Sequence, residues 1–194
     1  MQLFKHLVFD SIINPRSVSI KLAQFNFTKL NIIEATLFVS ICSTLVSYLY
    51  LNLILDSIPD QVRDESQIII DILSYMSSIE PVLFALNQTF QLTLLGVIIS
   101  FGGQIFRGKG TFFEALVCVT WVEFLLLFLK ILQVVLVKIS IILSFLVLIP
   151  GVFWSVWAYA AIAASIHGFK STFLTFLGGT LLTTLVLFFV NIFS

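Results

Sequence analysis

The chain has 194 residues, of which 59% are hydrophobic and 10% charged, and its mean hydropathy is +1.12. A soluble domain carries about a quarter charged residues, so this composition excludes one and defines an integral membrane protein. Lys plus Arg and Asp plus Glu each number 10, so net charge points to no nucleic-acid partner, and only the placement of the charges informs.

The opening "MQLFKHLVFDSIINPRS" is interrupted by Lys5, His6 and Asp10 before any long apolar core, so it does not read as a cleaved signal peptide. In "NPRSVSIKLAQFNFTKLN", Pro15 stands just inside a helix start and Val18, Leu22 and Phe25 repeat on one face among basic residues. This pattern predicts an amphipathic helix lying on an anionic membrane surface. Residues 1–31 are therefore expected to form a cytoplasmic N-terminal segment and residues 32–194 a membrane domain.

A membrane-crossing helix needs about 20 mostly apolar residues. Five stretches meet that length, at 32–55, 83–106, 112–136, 139–166 and 172–193. The second is diluted by Asn87, Gln88, Gln91 and Gln104, and Lys138 and "HGFK" at 167–170 separate the last three. The fold expected is all-α, a polytopic membrane bundle of five transmembrane helices with an N-terminal amphipathic helix. Lys5, Arg16, Lys21, Lys29, Arg107, Lys109 and Lys170 fall before the first span or in the connections on that side, against Arg63 and Lys138 opposite. The N-terminus is accordingly expected in the cytoplasm. Five crossings then put Ser194 on the other face.

Between the first two spans, Asp56, Asp60, Asp64, Glu65, Asp71 and Glu80 accompany Arg63. They lack the register of a calcium loop and read as a solvated acidic connection. Ile69, Ile72, Leu73, Met76 and Ile79 recur there at helical spacing and predict a short surface or capping helix. Cys42 and Cys118 lie inside apolar runs without zinc or redox spacing and read as packing residues.

Gly103, Gly108 and Lys109 in "GGQIFRGKGT" stand at the G-x-x-x-x-G-K spacing of a phosphate-binding loop, but Gly110 occupies the Ser/Thr position that holds magnesium. A phosphate loop also needs a preceding strand and an enclosing domain, whereas membrane spans flank this one. No nucleotide partner is expected. Gly102, Gly103, Gly108 and Gly110 read instead as a tight hairpin whose backbone takes positive φ, fixed at the cytoplasmic headgroups by Arg107 and Lys109.

"FRGKGTFFEALVCVTW" and "FWSVWAYAAIAASIHGFKS" resemble the pattern of the Yip (Ypt-interacting protein) superfamily of five-span membrane proteins, and especially its bacterial branch. The likeness rests on Gly108, Gly110, Phe112, Glu114, Ala115 and Leu116 opening the third span, on His167, Gly168 and Phe169 near the end of the fourth, and on Asn14 and Pro15 in the amphipathic segment. It implies a helical bundle without a known catalytic site. Eukaryotic relatives act in membrane trafficking and contact Rab-type GTPases through cytoplasmic segments; with about 30 residues before the first span, no Rab-type partner is expected here. The match to bacterial members points to a bacterial cytoplasmic membrane.

An ionisable residue in hydrocarbon costs several kcal/mol unless paired or wet. In the third span Glu114 sits one turn in, Glu123 lies near the centre, and Lys130 and Gln133 follow on one face. Glu123 and Lys130 are about 10.5 Å apart along the axis, a distance that argues against a direct salt bridge and sends each to another span or to shared water. They form either a polar track for ions or protons, or a buried pair that fixes helix register. His167 reads as a hydrogen-bonding cap or a pH sensor.

Pro150 and Gly151 are expected to break the fourth span at its middle, freeing a carbonyl for Trp154, Trp157 or Thr120. Ala160, Ala164 and Gly168, then Ser171, Thr175 and Gly179, repeat every four residues. They predict close association of the last two spans or a homo-oligomer. No Ser/His, paired Asp or H-E-x-x-H arrangement is present, so no enzyme, cofactor or metal is expected. The leading expectation is a non-enzymatic Yip-type membrane organiser or adaptor, whose partners are the lipid bilayer and other membrane proteins. The alternative is a small ion or solute permease subunit using the polar track.

Overall fold

A computed structural model of the chain describes residues 2–25, 27–57 and 67–193. Among the described residues every regular element is an α-helix: α1 (Gln2–Ile13), α2 (Pro15–Ala23), α3 (Lys29–Ser57), α4 (Gln67–Ser78), α5 (Pro81–Ile105), α6 (Phe112–Val137), α7 (Ile141–His167) and α8 (Thr172–Phe193). Helices α3, α5, α6 and α7 are long and apolar enough to cross a membrane. Helix α8 has 22 residues and is apolar through Thr172–Leu181. These are the five expected spans, with ends displaced by a few residues at most. Phe38, Phe90, Phe101, Ile142 and Phe153 turn outward, Phe153 being 74% exposed. Water would penalise such a surface and hydrocarbon does not.

The chain divides into two compact units. The first comprises residues 1–36, 91–122 and 154–194, and the second residues 37–90 and 123–153. Buried Leu7, Val18, Leu22, Val119 and Ile162 fill the core of the first, together with Ala158, Ala161 and Ala164. There α5 approaches α6 at Gly96, where a Cβ would lie 3.5 Å from the Leu116 backbone. The second is packed by Val39, Leu51, Ile54 and Leu125, and Tyr50 Oη and Ser144 Oγ share a 2.6 Å hydrogen bond between α3 and α7.

Several expectations change. The N-terminal segment holds two helices, α1 and α2, divided at Asn14, with Pro15 at the start of the second. Proline has no N–H to lose in a first turn, so it starts α2 while ending α1. Val18 and Leu22, 1% and 3% exposed, pack into protein, and Phe25 lies beyond the helix and is exposed. Helix α4 forms where the apolar spacing placed it, with Ile72 and Met76 exposed. Asp60, Arg63, Asp64 and Glu65 fall within residues 58–66, which lie outside the described residues.

Pro150 does not break the fourth span, because α7 runs through it. Gly151 is buried, where a Cβ would stand 3.2 Å from Leu129 Cδ1, so its contribution is close approach to α6. Two of the donors expected at the freed carbonyl are engaged elsewhere. Trp154 Nε1 donates to Ile12 O at 3.2 Å, and the Thr120 and Thr36 hydroxyls pair at 2.8 Å.

Candidate functional site

The glycines and His167 form one structure within the first unit. Helix α5 ends with Gly108 N donating to Gly103 O at 2.9 Å and Arg107 N to Gln104 O at 2.9 Å. This is a Schellman termination, in which the residue after the cap must adopt the left-handed region. That residue is Arg107, at φ 61°, and none of Gly102, Gly103, Gly108 or Gly110 has positive φ. Helix α7 ends the same way, with Phe169 N donating to Ala164 O at 2.8 Å and Gly168 N to Ser165 O at 3.1 Å. Here the left-handed residue is Gly168, at φ 73°.

The glycines of the first turn answer a different need. His167 is 4% exposed, and its ring occupies the concave side of the turn. A Cβ on Gly103 would fall 2.2 Å from His167 Nε2, one on Gly108 2.2 Å from Nδ1, and one on Gly110 2.8 Å from Cε1. Only hydrogen at these three positions leaves room for the imidazole. The two ring nitrogens then bond in opposite senses. Gly110 N–H donates to Nδ1 at 3.1 Å, and Nε2 lies 2.9 Å from Ile99 O. A carbonyl only accepts, so Nε2 carries the proton and the ring is the neutral tautomer. His167 thus ties the end of α7 to α5 and to the turn after it, instead of capping its own helix. Phe169 stacks on the ring at 5.4 Å.

Glu114 closes the other side of the turn. Its Oε2 accepts from Thr111 N at 2.8 Å and Thr111 Oγ1 at 2.9 Å, while Glu114 N donates to Thr111 Oγ1 at 3.3 Å. This is a capping box starting α6. T-x-x-E at 111–114 spells it in the sequence, a signal the sequence reading did not use. Helices α1 and α2 are fastened to the same unit: Trp121 Nε1 donates to Ser11 Oγ at 2.8 Å, and Arg16 donates to Lys170 O at 2.9 Å and to Phe169 O.

In the second unit the expected separation of Glu123 and Lys130 is overturned, since Lys130 Nζ meets Glu123 Oε1 at 2.7 Å. Helical side chains lean toward the N-terminus. The four-carbon lysine stem therefore reaches back along α6 and covers the two turns that a backbone measurement leaves open. Two further spans join the pair. Ser43 Oγ of α3 donates to Glu123 Oε1 at 2.6 Å and receives a bond from Lys130, and Gln88 Nε2 of α5 donates to the same oxygen at 3.2 Å. Glu123 is 5% exposed and Gln133 is also buried. Ser43 and Gln88 were missed as partners, although an amide or hydroxyl in a membrane span is itself a reason to look for one. Cys118 is buried and, like Cys42, carries no disulfide. Among the described residues no group of three or more His, Cys, Asp or Glu could hold a metal.

The small-residue faces of α7 and α8 do not close on each other throughout. A Cβ on Gly179 would meet nothing within 4 Å, and one on Gly178 would reach only the Phe106 ring at 3.9 Å. Between α5, α7 and α8 a cavity of about 790 Å3 remains.

An all-α, multi-pass membrane protein, with polar side chains inside its spans that tie one helix to the next, is the class these features define. Within that class the chain belongs to the Yip1 family, whose Yip1 domain model matches residues 9–192. No curated protein and no solved structure matched the chain.

Proposed function

We propose that the chain is a non-enzymatic organiser or adaptor of the Yip type in a bacterial cytoplasmic membrane, with its N-terminus in the cytoplasm and its C-terminus on the opposite side. The observation that carries this reading is the employment of its chemistry-bearing side chains. Both nitrogens of His167 are engaged in joining α7 to α5 and its turn, and Glu123 and Lys130 join α6 to α3 and α5. Groups held in that way fix helix register and present a shaped surface. The imidazole also fills the concavity in which a phosphate would have to lie, which supports a turn without nucleotide. Arg107 and Lys109 are exposed on that turn, where a protein partner or a second copy of the chain would meet them.

The test is photo-cross-linking in cells from positions 107 and 109, combined with Cys labelling of the termini. The expected result is a discrete membrane-protein adduct that Lys109→Glu weakens, with the two termini labelled from opposite sides. Recovery of no adduct would overturn the adaptor role, and termini labelled from one side would overturn the orientation.

A further inference from the structure

The cavity between α5, α7 and α8 combines an apolar body with a cationic end. Leu95, Ile98, Val156, Ala160, Leu174 and Phe176 are among its walls, and Lys170 and Ser171 stand at one end. It opens outward, since Phe106 and Leu174 on its border are largely exposed. The wall is less polar than its composition suggests. Thr175 Oγ1 donates to Ser171 O at 2.9 Å and Thr180 Oγ1 to Phe176 O at 2.8 Å, so both hydroxyls are engaged within α8.

A second cation is bound to the backbone at the Lys170 end. Arg16 reaches across from α2 and places its guanidinium against the carbonyls of Lys170 and Phe169. Among the described residues neither Arg16 nor Lys170 forms an ion pair.

The length and the charge of the site suit a lipid. The lining runs along α8 from Ser171 to Thr184, about 20 Å at the helical rise. An extended acyl chain matches that length, and the apolar wall suits it. The volume also lies within the range of about 300–1,000 Å3 usual for small-molecule sites.

We propose that this cavity seats one phospholipid with an anionic headgroup, its acyl chains between α5, α7 and α8 and its phosphate at Lys170 and Arg16. Basic pockets between membrane helices recognise such headgroups by charge, and the apolar slot supplies the remaining affinity. The site is independent of the adaptor reading, and each stands or falls alone.

The experiment is native mass spectrometry of the full chain, extracted in mild detergent from vesicles containing equal parts phosphatidylglycerol and phosphatidylcholine. One retained phosphatidylglycerol is expected, favoured by about fivefold, the factor that one lysine near an anionic surface supplies. Lys170→Glu, on an exposed loop, should abolish the preference. Gly179→Leu, at a position where a Cβ meets nothing, should fill the slot and release both lipids while the melting temperature stays unchanged. Equal retention of the two lipids by the natural chain, or a preference that survives Lys170→Glu, overturns the proposal. So does a Gly179→Cys chain that cross-links to a second copy or to another protein's helix in place of lipid. Should Gly179→Leu fail to fold, the Lys170→Glu comparison decides the matter.

Discussion

Gly103→Ala sets helix propensity and packing against each other with opposite signs. Gly103 lies inside α5, and replacing glycine by alanine within a helix normally adds up to about 1 kcal/mol of stability. Here the new methyl would sit 2.2 Å from His167 Nε2 and 2.3 Å from Cδ2 and Cε1. Those are atoms of a rigid ring, not the end of a flexible chain, so the imidazole must leave. Its departure costs the bond to Ile99 O and strands the buried Gly110 N–H, at about 1–3 kcal/mol for each buried polar group left unpaired. Overpacking adds to this, and the expected net loss is about 2–5 kcal/mol. The assay is reversible unfolding of the purified chain in mixed micelles, run as a double-mutant cycle with His167→Ala. In the His167→Ala background the methyl has room, so Gly103→Ala should become neutral or stabilising, by up to about 1 kcal/mol. A stabilising Gly103→Ala in the natural background, or an equal cost in both backgrounds, would refute the claim that the turn closes on the ring.

The ion pair allows a parallel comparison. Lys130→Met leaves the Glu123 carboxylate without its ammonium and should cost about 3–5 kcal/mol, whereas Glu123→Gln with Lys130→Met should recover most of that loss, as read by the same unfolding assay. Arg107→Gly relieves a left-handed non-glycine residue and is expected to stabilise by about 1 kcal/mol; a loss of stability would show that the arginine side chain matters more than its backbone. Thr111→Ala removes the capping box and should cost about 0.5–2 kcal/mol, readable as faster hydrogen exchange in the first turn of α6. In liposomes the natural chain should carry no ion flux; a flux that Glu123→Gln abolishes would replace the organiser reading with the permease one.

Much of the architecture was legible from residue order alone. The five spans, the start of α2 at Pro15 and the helix before Pro81 all follow from local rules. A bilayer demands about 20 apolar residues in a row, and a charged gap bounds such a run, whereas a proline starts a helix at Pro15 and Pro81 but leaves α7 continuous at Pro150. Family membership was legible for a related reason, because the glycine turn, Glu114 and the His-Gly-Phe segment are short and contiguous.

What tertiary structure alone decided is every contact between residues distant in sequence. Gly103, Gly108 and Gly110 were expected to serve backbone reversal, yet the turn takes its left-handed residue from Arg107, and the glycines are small because His167, far along the chain, lies against them. Glu123 and Lys130 stand two turns apart on one helix, and Cα spacing could not register how far a lysine stem leans back, nor that Ser43 and Gln88 arrive from other spans. The repeat of small residues on α7 and α8 is a pattern for close packing, but Gly179 faces open space beside a cavity. Hydropathy acts on each segment separately and is written locally. Steric fit and hydrogen-bond pairing exist only once separate segments have been brought together.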